Sequence, residues 1–337
     1  MRRIFIVMLL LLVVFGASGF AEKVATLTEI MKPASIQVDS SRLYVAEGAS
    51  IFIYSLKDYR LLKKFGKEGE GPGEFVINPR LPISLDVSTD DIIVNSMGKL
   101  SYFSKDGDFK REIKCTITSL LFQPMGDQFI GLGQVFDNQK LYNTVNFYDS
   151  NLKKIKEIYR ADTGLKGPGR GIEVLQKVFW FQYYDNKIFL PGEDDAAIDV
   201  FDRNMNKLFT LRVESQKRKV TEEFKKEVID YMKTSPRTKD LYEALLKPVQ
   251  FPDSFPTIQF FFGADNILYV LTWIRENEKN QFHTFDMKGK FLKKLWIPLV
   301  YQSYLEPFPL TVNNGKLYQV IENMDEETWE LYVSEIK

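Results

Sequence analysis

From residue 39 onward the chain repeats one pattern of polar and apolar positions. A short cluster rich in Asp, Asn, Gly or Ser runs directly into an unbroken apolar stretch. The copies are Asp39–Val45, Thr89–Val94, Met125–Ile130, Tyr184–Leu190, Gly263–Val270 and Asn313–Tyr318. Such residues tolerate the backbone of a tight turn, and the apolar run suits a strand buried on both faces. A second element follows each of the first five: an aromatic or apolar pair, a polar turn, then alternating apolar residues. It recurs at Ile53–Leu61, Tyr102–Phe109, Phe147–Ile155, Val200–Leu208 and Phe285–Leu292. That alternation predicts an outer strand with one face in water.

The spacing turns these elements into an architecture. Tyr54, Phe103, Tyr148 and Phe201 follow one another at steps of about 45–55 residues, a period that marks stacked supersecondary units. The step from Phe201 to Phe285 is longer by about 30 residues, which predicts an insert. Thr221-Glu222-Glu223 is a helix start, with a capping hydroxyl and acids in the first turn. Phe224, Val228 and Met232 recur at helical spacing, Ser235-Pro236 breaks the run, and Leu241, Tyr242, Leu245 and Leu246 predict a second short helix ending before Pro248. The insert therefore spans about 219–250, between the fourth and fifth units.

The sixth unit, from Leu310, stops before a fourth strand, whereas Val24–Ile30 alternates as a strand and precedes the first unit. A closed ring leaves only short, protected edges. The economical solution is an all-β, six-bladed β-propeller whose N-terminal strand completes the last blade.

Three further features narrow the setting. Met1-Arg2-Arg3, the apolar run Ile4–Phe15 and Gly16–Ala21 have the layout of a secretory signal peptide, with cleavage after Ala21. That gives a leader over 1–21 and a propeller over 22–337, acting in the periplasm or outside the cell. The apolar run is short for a membrane span, which needs roughly 20 residues. With Cys115 as its one cysteine the chain forms no internal disulfide, so the core alone must hold it. The 45 basic and 45 acidic residues balance, which argues against a nucleic-acid binder or a polybasic lipid-docking surface.

The segment Phe65-Gly66-Lys67-Glu68-Gly69-Glu70-Gly71-Pro72-Gly73-Glu74-Phe75 resembles the NHL-repeat signature, a Gly-rich link between one blade's outer strand and the next blade's inner strand. Asp162–Arg170 is a weaker copy. The chain is similar, after residue 30, to bacterial exported six-bladed propellers with NHL-like blades. The resemblance implies a fold and no particular chemistry, since propellers host binding modules, lyases and hydrolases alike. A phosphate loop is excluded because Pro72 and Phe75 lead into a strand, and such a loop must lead into a helix.

His283, the single histidine, sits between Phe282 and Phe285 and reads as a packed strand residue. One histidine rules out a multi-histidine zinc site, and no nucleophile-elbow motif accompanies it. Carboxylates are the better candidates. Glu193-Asp194-Asp195 follows the second strand of the fourth unit, and corresponding loops carry Glu47, Asn95, Asp137, Asn138, Arg275, Glu276 and Glu322. As ligand-binding residues we single out Glu47, Asn95, Asp137, Asp194, Arg275 and Glu322. No cofactor is called for, although a ring of such oxygens would suit Ca²⁺, which takes six to eight oxygen ligands.

The leading reading is a non-enzymatic binding propeller that receives a protein, peptide or glycan on one face, partly covered by the insert. Its rival is a lyase or hydrolase using carboxylates at the channel mouth, which requires three or more of them close together. A scaffold within a larger envelope assembly would instead show a broad exposed apolar patch.

Overall fold

The computed structural model describes residues 21–78, 82–115, 121–138, 140–164, 171–236, 238–245, 247–303 and 305–336. The expected leader lies outside them apart from Ala21, as do Leu246 and residues 165–170 of the weaker Gly-rich link.

A first strand, β1 (Glu22–Thr26), precedes the repeats. Blade 1 comprises β2 (Ser35–Val38), β3 (Arg42–Glu47), β4 (Ser50–Ser55) and β5 (Leu61–Phe65), and blade 2 comprises β6 (Ser84–Val87), β7 (Asp91–Ser96), β8 (Lys99–Ser104) and β9 (Phe109–Lys114). Blade 3 comprises β10 (Phe122–Met125), β11 (Gln128–Asp137), β12 (Lys140–Tyr148) and β13 (Lys154–Asp162), and blade 4 comprises β14 (Gln182–Tyr184), β15 (Lys187–Pro191), β16 (Ala197–Phe201) and β17 (Lys207–Arg212). Helices α1 (Glu222–Thr234) and α2 (Lys239–Glu243) follow. Blade 5 comprises β18 (Ile258–Ala264), β19 (Ile267–Glu276), β20 (Lys279–Asp286) and β21 (Phe291–Pro298), and blade 6 begins with β22 (Leu310–Asn313), β23 (Lys316–Asn323) and β24 (Thr328–Glu335).

These strands make six four-stranded antiparallel sheets, the six-bladed all-β ring that the repeats predict. The first strands of neighbouring blades lie side by side: β2 against β6 and β22, and β14 against β18. They therefore surround the axis. The fourth strands form the rim and are largely exposed, as in the Phe-Lys-Arg-Glu-Ile-Lys run of β9. Lysines along these rims blunt edges that would otherwise pair with another sheet.

The core is divided among the blade interfaces. On β3, Leu43 and Val45 face blade 6 while Tyr44 and Ala46 face blade 2, all fully buried. This explains why second strands read as continuous apolar runs: each packs against two neighbours at once. Comparable clusters fill every other interface, such as Phe122, Phe129 and Tyr148 with Tyr102 between blades 2 and 3.

β1 closes the ring. It pairs antiparallel with β24, from Glu22 opposite Val333 to Thr26 opposite Glu330, and makes the fourth strand of blade 6. The strand ends at Thr26, short of the alternating stretch, yet Leu27 and Ile30 go on into the core between blades 6 and 1, 1% and 4% exposed. The Leu27 amide donates to the Trp329 carbonyl at 2.7 Å, and Lys23 is ion-paired with Glu330.

α1 starts as read, with Thr221 Oγ1 accepting from the Phe224 amide at 3.2 Å. Val228 and Met232 are its buried residues. α2 is a single short turn ending at Glu243, earlier than the apolar spacing suggests; Thr238 makes no side-chain cap bond, so little holds a longer helix there.

His283 is buried in blade 5, with Nε2 3.0 Å from Gln281 Oε1, while Thr272 Oγ1 donates to the Gln281 carbonyl at 3.2 Å. Burial, aided by the Lys294 charge on the next strand, lowers its pKa to about 4.

Two outcomes follow from closure and from this buried ring. Removing residues 22–32 is expected to abolish the cooperative thermal transition, and Leu27→Ala to cost about 2–5 kcal/mol. An unchanged melting curve for the deletion contradicts the closure. For His283 the folded state prefers the neutral ring, so its contribution is intact above about 6.5. That contribution is lost as pH falls from there towards about 4. Denaturant titrations across this window should show stability falling with acidity, with a shallower fall in His283→Gln.

Candidate functional site: the connecting face of the ring

Because the strands alternate in direction, each blade's second-to-third turn lies at the same end of the ring as the links between blades. First-to-second and third-to-fourth turns lie at the other end. The sequence makes these two ends chemically different.

The second end is polar and joined to itself. Arg42 of blade 1 reaches Asp106 of blade 2 at 2.6 Å, and Lys105 pairs with Asp39 at 2.8 Å. Burial alone would raise the Asp39 carboxyl, but hydrogen bonds from Lys105, the Ser41 amide and Tyr44 bring it down to about 2. Asp265 of blade 5 accepts from the amides of Asn314 and Gly315 of blade 6 at 3.0 and 2.7 Å.

All six residues singled out from the sequence lie at the first, connecting end, one in each blade. Two are braces. Glu47 accepts from the amides of Met31 (2.7 Å) and Lys32, holding the link from β1 into blade 1. Asn95, 5% exposed, grips Phe122 of blade 3 by both its amide (2.7 Å) and its carbonyl (3.2 Å). Three are engaged but reach solvent: Asp137 pairs with Arg160 at 3.0 Å, Asp194 with Arg212 at 2.7 Å, and the Arg275 guanidinium lies 3.6 Å from the centre of the Tyr301 ring. Glu322 is exposed at the blade 6 turn. They are thus spread round the ring, one per blade. Among the described residues no three His, Cys, Asp or Glu side chains group as a metal site would require.

The Gly-rich link is built as a connection between blades 1 and 2. Glu74 accepts from the Gly71 amide at 2.9 Å and pairs with Lys67 at 2.8 Å, and Phe75 is wholly buried. Gly66 has φ +85°, and a Cβ there would lie 2.5 Å from the Phe75 ring and 2.7 Å from the Ala49 carbonyl, so the turn needs glycine. Lys99 was not singled out from the sequence. Its buried ammonium donates to the Gly71 carbonyl at 2.6 Å and to Glu112 at 3.1 Å, pinning the link to the blade 2 turn.

The helical insert belongs to the link from blade 4 to blade 5 and so lies on this same end. Phe224 of α1 packs edge-on against Phe255, with ring centres 4.7 Å apart, and Phe255 stacks on Trp273 at 4.9 Å. Val220, Leu175, Phe251 and Leu305 complete the cluster. The insert covers blades 4 and 5.

Over the remaining blades, apolar side chains stand uncovered: Met31, Ile77, Met97, Phe136 and Met324, with Met31 82%, Phe136 64% and Met324 75% exposed. Together with Val300, they account for every exposed large hydrophobic outside the rim strands among the described residues. The sequence signal was there for Met97 and Met324, which interrupt turns otherwise made of polar residues. The relief is uneven as well. β11 and β12 run 10 and 9 residues against 6 each for β7 and β8, so the blade 3 hairpin projects roughly 10 Å further. β23 and β24, 8 residues each, project from blade 6. Blades 1 and 2 therefore form the low floor of a cleft, with Met31, Ile77 and Met97 on the floor and Met324 on the blade 6 wall, whereas Phe136 shares the strand face of Ile130 and Leu132 and turns towards blade 4.

At the axis, the six inner strands carry aromatics, neutral polar residues and one charged residue, Asp86 of β6. Burial raises its carboxyl, only partly offset by the Val87 amide. No helix among the described residues is long and apolar enough to cross a membrane.

Comparison with known proteins agrees with this architecture. A member of the DUF4221 family from Bacteroides vulgatus shares 10% identity, covering 94% of this chain and 95% of its own, with a TM-score of 0.52. Hsv2 from Kluyveromyces lactis shares 12% identity over 90% of this chain and 99% of its own, at a TM-score of 0.40. At these identities the first likeness is one of fold alone, and the second carries no weight. No curated protein matches the chain. The model of the six-bladed β-propeller family matches residues 27–243, well over half the chain, and with the six sheets closed by β1 it places the protein in that family.

Proposed function

We propose that this protein is a non-enzymatic binding module that docks a protein or peptide in the cleft over blades 1 and 2. One observation carries this reading: outside the rim strands, all exposed large hydrophobics among the described residues lie on the connecting face, while on the opposite face turns of neighbouring blades bond to one another through polar groups. Uncovered apolar side chains rimmed by polar ones mark an interaction surface. Three of the four in the cleft are methionines, whose flexible, polarisable side chains adapt to varied partners.

Asp137, Asp194, Arg275 and Glu322 provide the polar rim of this face, and Glu47 and Asn95 keep its floor in register. The helical insert limits access from the side of blades 4 and 5. The charged start, apolar run and small-residue exit of residues 1–21 support action outside the cytoplasm.

Site-specific photo-crosslinking tests the reading. A photoreactive residue at Met97 or Met324, introduced in the producing cell, is expected to give discrete protein adducts, while the same group at Asp90 or Asp127 on the opposite face gives none. The Ile77→Ser/Met97→Ser pair should lower partner retention at least tenfold with an unchanged melting temperature. Adducts from the opposite face alone, or full retention by the double variant, would refute it.

A further inference from the structure

The walls of the cleft differ in charge, and the difference points to the chemistry of the partner. The blade 6 hairpin carries Glu322, Asp325, Glu326 and Glu327, all exposed. The neighbouring blade 5 hairpin adds Glu276 and Glu278, also exposed, beside Lys279 and Arg275, whose guanidinium lies over Tyr301. None of the six is in an ion pair among the described residues. Lys23, whose charge reaches Glu326, is bound to Glu330. Even with Arg275 and Lys279 beside them, these six carboxylates outnumber the cations of the two adjacent hairpins, in a chain whose overall charge is balanced. The blade 3 wall differs, since its Asp137 is neutralised by Arg160.

The acidic wall borders the most exposed apolar groups of the cleft. Met324 sits within the acidic turn itself. Met31 is held at the foot of that hairpin, its carbonyl accepting from Trp329 Nε1 at 2.7 Å and its amide donating to Glu47.

We propose that the segment docked here is basic, with lysine or arginine side chains against the blade 5 and 6 hairpins and at least one large apolar side chain between Met31 and Met324. The apolar groups supply the anchoring contact, and the opposed charges set orientation and speed the encounter. An acidic or neutral segment would leave the six carboxylates repelled or unanswered. This assignment rests on the binding reading above and deepens it.

Selection from a random twelve-residue peptide library displayed on phage, against the purified protein, tests the assignment. The expected winners carry a net positive charge and at least one large apolar residue. Their affinity should fall at least tenfold for Asp325→Lys/Glu326→Lys/Glu327→Lys and at least fivefold for Met31→Ser/Met324→Ser. It should weaken in 0.5 M salt for the wild type, because screening shortens the reach of exposed charges. Asp90→Lys/Asp127→Lys on the opposite face serves as the control and should bind like the wild type. Acidic or neutral winners, or winners indifferent to both blade 6 variants, overturn the assignment. If such winners are still lost in Ile77→Ser/Met97→Ser, the docking cleft stands and only its charge preference falls. If they bind all of these variants equally, the cleft falls too.

Discussion

The whole ring depends on a contact between segments from opposite ends of the numbering, β1 on β24. Without it, β24 would present a bare edge, and the cluster holding Leu43, Val45, Val320 and Leu331 would lose Leu27 and Ile30 from its margin. Every blade packs against two others, so a gap at one interface leaves each remaining wedge free to shift. The inner strands are short and gather at the axis, and their spacing is set by the closed circumference. Closure therefore fixes both the channel and the relative heights of the turns that stand around it.

Given that frame, the two ends of the ring have been put to different uses. At one end, short turns of Asp, Asn and Gly bond across blade boundaries, as Arg42 does with Asp106 and Asp265 with the amides of Asn314 and Gly315. The other end must also carry the chain from one blade to the next, and its links vary in length. It holds the Gly-rich turn pinned by Lys99, the helical insert over blades 4 and 5, the long hairpins of blades 3 and 6, and the unburied methionines. Variation in length is tolerated there because it does not enter the sheets.

Most of the frame was legible in the sequence. Asp39–Val45 and its five counterparts each contain a tight turn and a doubly buried strand, and both leave plain marks: turn formers, then an unbroken apolar run. The Thr221 cap was readable for the same reason, that local chemistry dictates it, and the pairing of the N-terminal segment followed from a last blade one strand short in a ring that must close. The candidate site was only partly so. Position along the repeat located Glu47, Asn95, Asp137, Asp194, Arg275 and Glu322 at one end of the ring, but not what their side chains touch. Asn95 binds a residue 27 positions away, and Glu47 serves a link that closes the ring. Such partners are set by tertiary packing, which no local pattern records. Lys99 looks like any surface lysine until the folded chain buries it.

The helical insert joins no sheet. Parallel and antiparallel bridges flank it, at Glu173 with Gln250 and at Lys219 with Ser254, and one aromatic cluster around Trp273 moors it. Among the described residues it supplies no strand to the six sheets. A lineage could lengthen, trim or recharge this flap and so reshape the company the ring keeps, while the load on the β1 seam stayed the same. Selectivity and structural soundness are thereby assigned to separate stretches of one polypeptide.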